Sequence, residues 1–184
     1  MRQSLYRIVL IGLFSSLVFV TTSIKFVIPI PGGYTMAHLG HVSCLLAGML
    51  LPSTYGAISA ALGSSLFDLF SPLFLTSTPF TFLFKFILAF TCGKIYRIKK
   101  VGMSFKLRVV LASLVSSLIY LVLHILKLIV YNFYFLNVEL YAVGILVLKS
   151  VAVSLLKDVV TFFLVTFIME KIRKLNLFTK LNFE

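Results

Sequence analysis

The sequence predicts an all-α integral membrane protein, a bundle of six transmembrane helices with both termini in the cytoplasm. Hydrophobic residues make up 60% of the chain and charged residues 12%, and the mean hydropathy is +1.10. This composition is far more apolar than that of a water-soluble domain. At roughly 20 residues per span, a chain of 184 residues holds six helices joined by short loops. We therefore expect one membrane domain over residues 1–184.

The positions of the basic residues predict how the bundle is oriented. Of the 17 Lys and Arg residues, 12 fall in three clusters: at the N-terminus, over residues 94–108, and over residues 171–180. Basic residues concentrate on the cytoplasmic side of short loops, so both termini and the middle loop should lie inside. Nucleic-acid binding is the other interpretation of a net charge of +12, but each cluster is short and abuts an apolar segment.

Apolar runs separated by turn residues divide the chain into six predicted helices. The segment IPIPGG at residues 28–33 should end the first helix in an outer loop, because proline disfavours helix in the residue before it. Pro79 suits the first turn of the fourth helix. We read residues 137–153 as an outer loop with a partial helix over the mouth of the bundle. The predicted helices cover about residues 5–26, 35–51, 55–70, 79–96, 105–130 and 154–171.

Ionisable side chains inside the predicted helices are the first candidates for a binding site. His38, His41 and Asp68 are costly in a bilayer unless they have a partner or a ligand. Lys85 and Lys157 each lie near the outer start of an outside-to-inside helix, so their ammonium groups should flank one outer cavity. The predicted substrate-binding set is Thr35, Met36, His38, His41, Asp68, Thr81, Lys85, Ser154, Lys157 and Asp158.

Other roles stay open for some of these residues. Asp68 could serve only as a structural partner, since an acid on an inward face usually pairs with a cation or hydroxyl. Lys85 could extend to the outer surface instead of facing inward. His38 and His41 are three residues apart in the second predicted helix and could hold a metal ion, but the chain has only one further histidine.

No motif for catalysis or nucleotide hydrolysis is present. The chain lacks G-x-x-x-x-G-K-[ST], H-E-x-x-H and G-x-S-x-G. A receptor for a solute is therefore favoured over an intramembrane enzyme, a stand-alone channel or a metal carrier, and neither a cofactor nor a metal is expected. The 19 Phe and 8 Tyr residues offer stacking surfaces to a planar ring.

The first helix carries a stripe of small residues, Gly12, Ser15 and Ser16. Such a stripe allows close helix contact in lipid. Packing within the chain and docking onto another subunit are both compatible with it.

Four segments together resemble one family, the S components of energy-coupling factor (ECF) vitamin transporters, in their riboflavin-transporter-like branch. Three segments precede or lie within the second to fourth predicted helices: KFVIPIPGGYTMAHLGHV, AISAALGSSLFDLFSP and TPFTFLFKFILAFTCGKI. The fourth, SLLKDVV, is similar to the N-L-I-K segment of that branch, with Ser154 where Asn is usual and Lys157 on the matching Lys.

The resemblance implies a prokaryotic cell-membrane subunit that binds a vitamin or precursor from outside. It would work with a membrane scaffold (T) subunit and two cytoplasmic ATP-binding cassette ATPases. In the family the first helix docks to the scaffold, and here Gly12, Ser15 and Ser16 stand where alanines are common. The connection between the first two helices acts as a gate in the family.

The resemblance also bears on the substrate. The segments YTMAHLGH and SSLFDL are similar to those of members assigned to pyridoxine-type vitamin B6 or to hydroxymethylpyrimidine, a thiamin precursor. Riboflavin is the alternative, and the Ser154 departure argues mildly against it. We expect a small aromatic nitrogen ring with hydroxymethyl groups.

Overall fold

Six α-helices and one β-hairpin form the described part of this computed structural model. The structure describes the backbone of residues 2–30, 33–98, 102–135 and 137–175. Side chains are described for residues 5–26, 38–98, 102–133 and 137–175. The helices are α1 (Arg2–Ser23), α2 (Gly40–Leu50), α3 (Ser53–Leu69), α4 (Thr78–Tyr96), α5 (Phe105–Val130) and α6 (Leu140–Lys174). Strands β1 (Lys25–Ile30) and β2 (Gly33–His38) pair antiparallel between α1 and α2. A π-helical turn, Tyr131–Phe135, continues α5.

Four of the described helices are long and apolar enough to cross a membrane, namely those that contain Leu5–Ser23, Leu75–Tyr96, Phe105–Phe133 and Leu140–Lys174. Helix α2 is apolar but has 11 residues, a length of only about 16 Å. Large apolar side chains such as Leu13, Val122 and Phe163 are exposed, as expected of residues that face lipid. The chain is therefore a helical membrane protein whose shorter helices complete the bundle.

The hairpin corrects the prediction of a second helix over residues 35–51. Residues 33–38 are extended, and the helix begins only at Gly40. The prolines at 29 and 31 favour extended backbone, and Tyr34 and Thr35 also have high strand propensity. Pairing of the two strands satisfies backbone groups that a loop near the membrane would leave without partners.

The predicted outer loop over residues 137–153 is wrong. Helix α6 runs without interruption over 35 residues, about 52 Å, from Leu140 to Lys174. Gly144 and Lys149 do not end it, because both are exposed and a helix tolerates an isolated glycine at a cost of about 1 kcal/mol. The other helices end within three residues of their predicted bounds.

Backbone contacts hold α2 between α3 and α4. A Cβ added at Gly48 would lie 2.3 Å from the carbonyl oxygen of Ala89 in α4. A Cβ added at Gly56 in α3 would lie 2.3 Å from the carbonyl oxygen of Ala47. In lipid, where apolar side chains gain little from leaving the solvent, such close contacts stabilise helix association.

Arg97 joins the ends of three helices at one end of the bundle. Its guanidinium donates hydrogen bonds to the carbonyl oxygens of Gly48 (3.2 Å), Gly93 (2.7 Å) and Leu51, and to Oγ of Ser53 (3.0 Å). The last carbonyl groups of a helix have no partner within it, so Arg97 caps the C-terminus of α2 from the C-terminus of α4.

We predict that Arg97→Ala lowers the free energy of unfolding by about 1 to 3 kcal/mol, because it removes charged hydrogen bonds and leaves carbonyl groups unpaired. SDS titration in mixed micelles, followed by circular dichroism, measures this change. Lys94→Ala is the matched control, since Lys94 lies on the same helix and contacts only the Phe90 ring at 5.4 Å among the interactions described. Equal stability of the two variants would contradict the role given to Arg97.

Candidate functional site

Polar side chains from four helices meet in the interior around Tyr120. His41 comes from α2, Lys85 from α4, and Lys157 with Asp158 from α6. His41 and Lys85 are 0% and 2% exposed, and the side chains of Lys157 and Asp158 are both 11% exposed. The structure thus brings together four of the predicted binding residues.

Helical periodicity places these residues at the interior. On α4, Lys85 shares the buried face with Leu88, Ala89 and Cys92. On α6 the buried positions recur at spacings of three and four residues, with one longer step: Val143, Leu146, Ser150, Asp158, Thr161, Val165 and Met169. The ionisable groups of the site therefore lie on helix faces that otherwise form the core.

His41 links α4 to α5. Its Nδ1 lies 3.3 Å from Nζ of Lys85, and its Nε2 lies 3.2 Å from Oγ of Ser117. An ammonium group can only donate, so Nδ1 accepts a hydrogen bond and the ring proton sits on Nε2. His41 is therefore neutral, with Nε2 donating to Ser117.

The Tyr120 ring is the common neighbour of both buried lysines. Nζ of Lys85 lies 4.6 Å from the ring centroid and Nζ of Lys157 lies 5.5 Å from it. The rings of His41 and Phe84 approach edge-on, at 5.2 and 6.5 Å between centroids, and His124 stacks at 6.2 Å with an interplanar angle of 8°. Two cations share one electron-rich surface, which stabilises them where water is scarce.

Asp158 contributes to the cluster a carboxylate oxygen that has no hydrogen-bond donor among the described side chains. Its Oδ1 lies 4.0 Å from Nζ of Lys157 and 3.9 Å from Nε2 of His41. Within the described ranges this buried oxygen has no hydrogen-bond partner. Lys85, Lys157 and Asp158 together carry one excess positive charge if all are ionised. The arrangement can therefore accept a ligand that offers both an O–H donor and an electron-rich acceptor.

Asp68 and Thr81 form a second polar pair beside this cluster. Oγ1 of Thr81 donates to Oδ2 of Asp68 at 2.5 Å, and Asp68 is 1% exposed. The other carboxylate oxygen, Oδ1, is buried and has no hydrogen-bond partner in the described part of the chain. Thr81 and Lys85 are four residues apart on one face of α4. The Asp68–Thr81 pair is therefore about 6 Å from Lys85 along the helix axis.

The remaining predicted residues are more dispersed. His38 lies at the end of β2 and not on the helix of His41, so the helical spacing proposed for a metal-binding pair is wrong. Ser154 is half-buried, one turn before Asp158 on α6. Thr35 and Met36 belong to β2, and their side chains lie outside the described residues. Among the residues described, no three His, Cys, Asp or Glu side chains are placed to hold a metal.

Sequence reasoning missed three residues of α5. Ser117, Tyr120 and His124 lie on one face at spacings of three and four residues, a polar stripe on an apolar helix that periodicity could have identified. Nε2 of His124 lies 3.2 Å from Oγ of Ser150 on α6.

The small residues predicted for docking do not share one face of α1. Gly12 and Ser16 are exposed, and a Cβ added at Gly12 would meet nothing within 4 Å. Ser15 is 8% exposed and packs against α3, where a Cβ at Gly63 would lie 2.4 Å from the carbonyl oxygen of Ser15. Gly12 and Ser16 are therefore the two that a partner could contact.

These features define a class: a helical membrane protein that buries ionisable side chains from several helices in one cluster. The chain belongs to the family of S components of ECF-type riboflavin transporters, whose sequence model matches residues 2–174. S components are non-catalytic substrate-binding subunits of transporters. The family implies a T component and ATPases as partners and a small-molecule vitamin as ligand.

The fold is similar to a solved structure of the S component of a bacterial ECF transporter. The two chains are 22% identical, with a TM-score of 0.65 over 94% of this chain and 98% of the other. No match is found among curated protein sequences. At this identity the similarity establishes the fold alone.

We predict that Tyr120→Leu lowers the free energy of unfolding by about 1 to 3 kcal/mol, because both ammonium groups lose their aromatic partner. Tyr120→Phe keeps the ring and should lose less than about 1 kcal/mol. SDS titration of the purified variants compares them. A loss as large in Tyr120→Phe as in Tyr120→Leu would mean that the hydroxyl group, and not the ring, is the important part.

Proposed function

We propose that this chain is the substrate-binding subunit of an ATP-driven ECF-type transporter that takes up pyridoxine-type vitamin B6 or hydroxymethylpyrimidine from outside the cell. The observation that carries the proposal is the buried cluster in which Lys85 and Lys157 flank the Tyr120 ring beside an unsatisfied oxygen of Asp158. Buried ionisable groups in a membrane protein mark sites of substrate or ion binding.

The chemistry of the cluster supports this class of ligand. Both proposed vitamins are small nitrogen-containing aromatic rings that carry hydroxymethyl groups. A hydroxymethyl group can donate to Oδ1 of Asp158 or Oδ1 of Asp68, because neither of these oxygen atoms has a donor in the part of the chain that is described. Ring nitrogens and oxygens can accept from Lys85 and Lys157. The ring itself can contact the aromatic side chains around Tyr120.

Riboflavin is the second candidate because the matching family is described by that substrate. The segment SLLKDVV carries Ser154 where Asn is usual in the riboflavin branch, and Ser154 lies half-buried one turn from Asp158. A shorter hydroxyl in place of an amide removes one hydrogen-bonding group from this position. The departure argues mildly against riboflavin.

The contacts at the basic end of the bundle support a cytoplasmic location for the C-terminus. Lys106 pairs with Glu170 at 2.8 Å, and the guanidinium of Arg173 lies 4.8 Å from the Phe105 ring. The start of α5 and the end of α6 therefore meet at one end, which the basic loops assign to the cytoplasm. Tyr120 is 15 residues from Phe105 along α5, a rise of about 22 Å, which supports a position of the cluster in the outer half.

This topology assigns separate roles to the chain and its partner subunits in the proposed transporter. The six-helix bundle would lie in the membrane of a prokaryotic cell, with the ligand cluster in its outer half. The exposed Gly12 and Ser16 on α1 would dock to the scaffold subunit, and the two ATPases would act from the cytoplasm. The chain has no nucleotide-binding motif, so these partners would supply the energy for transport.

We predict that Lys157→Ala and Asp158→Asn each weaken binding of the vitamin by at least about tenfold, because each removes a charged hydrogen-bonding group from the site. Calorimetric titration of the detergent-purified protein with pyridoxine, hydroxymethylpyrimidine and riboflavin measures this and identifies the substrate. Lys149→Ala is the control, since Lys149 is exposed on the same helix. Unchanged dissociation constants in both site variants would remove these residues from the site.

We predict that Gly12→Leu abolishes vitamin uptake and association with the scaffold while ligand binding stays intact. A leucine fits at this position within the subunit but blocks close approach of another helix. Gly144→Leu is a matched control, because Gly144 on α6 is also exposed with nothing within 4 Å of an added Cβ. Uptake assays in cells and co-purification with the scaffold measure the effect. Normal uptake by Gly12→Leu would reject this docking face.

A further inference from the structure

Lys25, the first residue of β1, is held by three buried side chains at the end of α3 and just beyond it. Its Nζ donates to Oγ of Ser71 at 3.3 Å and lies 4.3 Å from the ring centroid of Phe67 and 5.5 Å from that of Phe74. Phe67, Ser71 and Phe74 are 6%, 9% and 8% exposed. The ammonium group therefore fixes the base of the hairpin to the connection between α3 and α4.

The strand register connects Lys25 to His38. These two residues face each other as the terminal pair of the antiparallel ladder. Side chains of directly opposite residues project from the same face of a sheet, with Cβ atoms about 4.5 to 5.5 Å apart. The position of Lys25 therefore sets the position of His38.

His38 pairs with Lys25 in the hairpin and precedes His41, a member of the polar cluster around Tyr120, by three residues. An added Cβ at Gly40 would be 2.7 Å from Nδ1 of His38, so the ring sits against the start of α2. Lys85 and Lys157 are close enough to His38 to interact with it electrostatically, as is Lys25. Nδ1 of His38 is buried and has no hydrogen-bond partner among the residues described.

We propose that Lys25 is a positioning residue: its contacts with Phe67, Ser71 and Phe74 hold the ring of His38 at the edge of the binding site. The role of His38 as a ligand contact rests on the proposed function, but the positioning by Lys25 does not. A two-stranded hairpin is marginally stable by itself, so its placement depends on contacts such as this one. Loss of the ammonium group should release the hairpin base and expose His38.

Chemical modification of the histidines in the ligand-free protein tests this placement. The full-length protein in detergent is treated with diethyl pyrocarbonate, and mass spectrometry of peptides follows the modification rates of His38, His41 and His124 separately. Lys25→Met removes the charge and keeps the length of the side chain. This substitution should raise the modification rate of His38 about tenfold, because the hairpin loses a desolvated cation–π contact and a hydrogen bond. The modification rate of His41 should not change.

Three variants make the test specific. Lys25→Arg retains a cation that can contact the aromatic rings, so it should keep the slow rate at His38. Phe67→Leu weakens the same contact from α3 and should raise the rate. Lys149→Met is the control for loss of an exposed lysine and should change nothing.

The outcomes separate this proposal from the proposed function. An unchanged rate at His38 in both Lys25→Met and Phe67→Leu would overturn it, whatever ligand the protein binds. Equal acceleration at all three histidines would also overturn it, since Lys25 would then stabilise the bundle in general. Selective acceleration at His38 supports the positioning role even if pyridoxine does not bind.

Discussion

The interaction on which the structure depends is the burial of Lys85 and Lys157 against the ring of Tyr120. Two ammonium groups in the interior of a membrane protein carry a desolvation penalty of several kcal/mol each. Three partners reduce it: the aromatic ring, the acceptor Nδ1 of His41, and the carboxylate of Asp158. Because these groups come from α2, α4, α5 and α6, the bundle must bring four helices together to stabilise two charges.

Close helix packing outside this polar cluster involves α2, α3 and α4. Glycine contacts at Gly48 and Gly56 bring α2, α3 and α4 to backbone distance, and Arg97 ties their ends together at the basic end. Among the described residues, the buried carboxylate oxygens that stay unsatisfied at the site belong to Asp158 on α6 and Asp68 on α3. The family implies that a T component and ATPases are the partners of such a subunit.

The membrane class and the family could be predicted from the sequence. The two buried lysines could also be predicted, because a cation deep in an apolar segment is conspicuous. The hairpin could not, since the pattern around His38 and His41 fits a helix as well as a strand followed by a helix. The continuity of α6 could not be predicted, because Gly144 and Lys149 interrupt the apolar pattern as loop residues do. In the structure both residues are exposed on the helix. Tyr120 resembled any core aromatic, because the pairing of its ring depends on helix packing.

The most direct test of the central claim is native mass spectrometry of the protein purified in detergent from cells that make the vitamin. We predict that the purified protein retains one small aromatic molecule, whose mass identifies the substrate, because such a ligand would complete the hydrogen bonds of the buried cluster. The Lys157→Ala protein should lose that molecule while remaining folded by circular dichroism. Retention of the same molecule by this variant, at the same occupancy, would contradict a binding site around Tyr120.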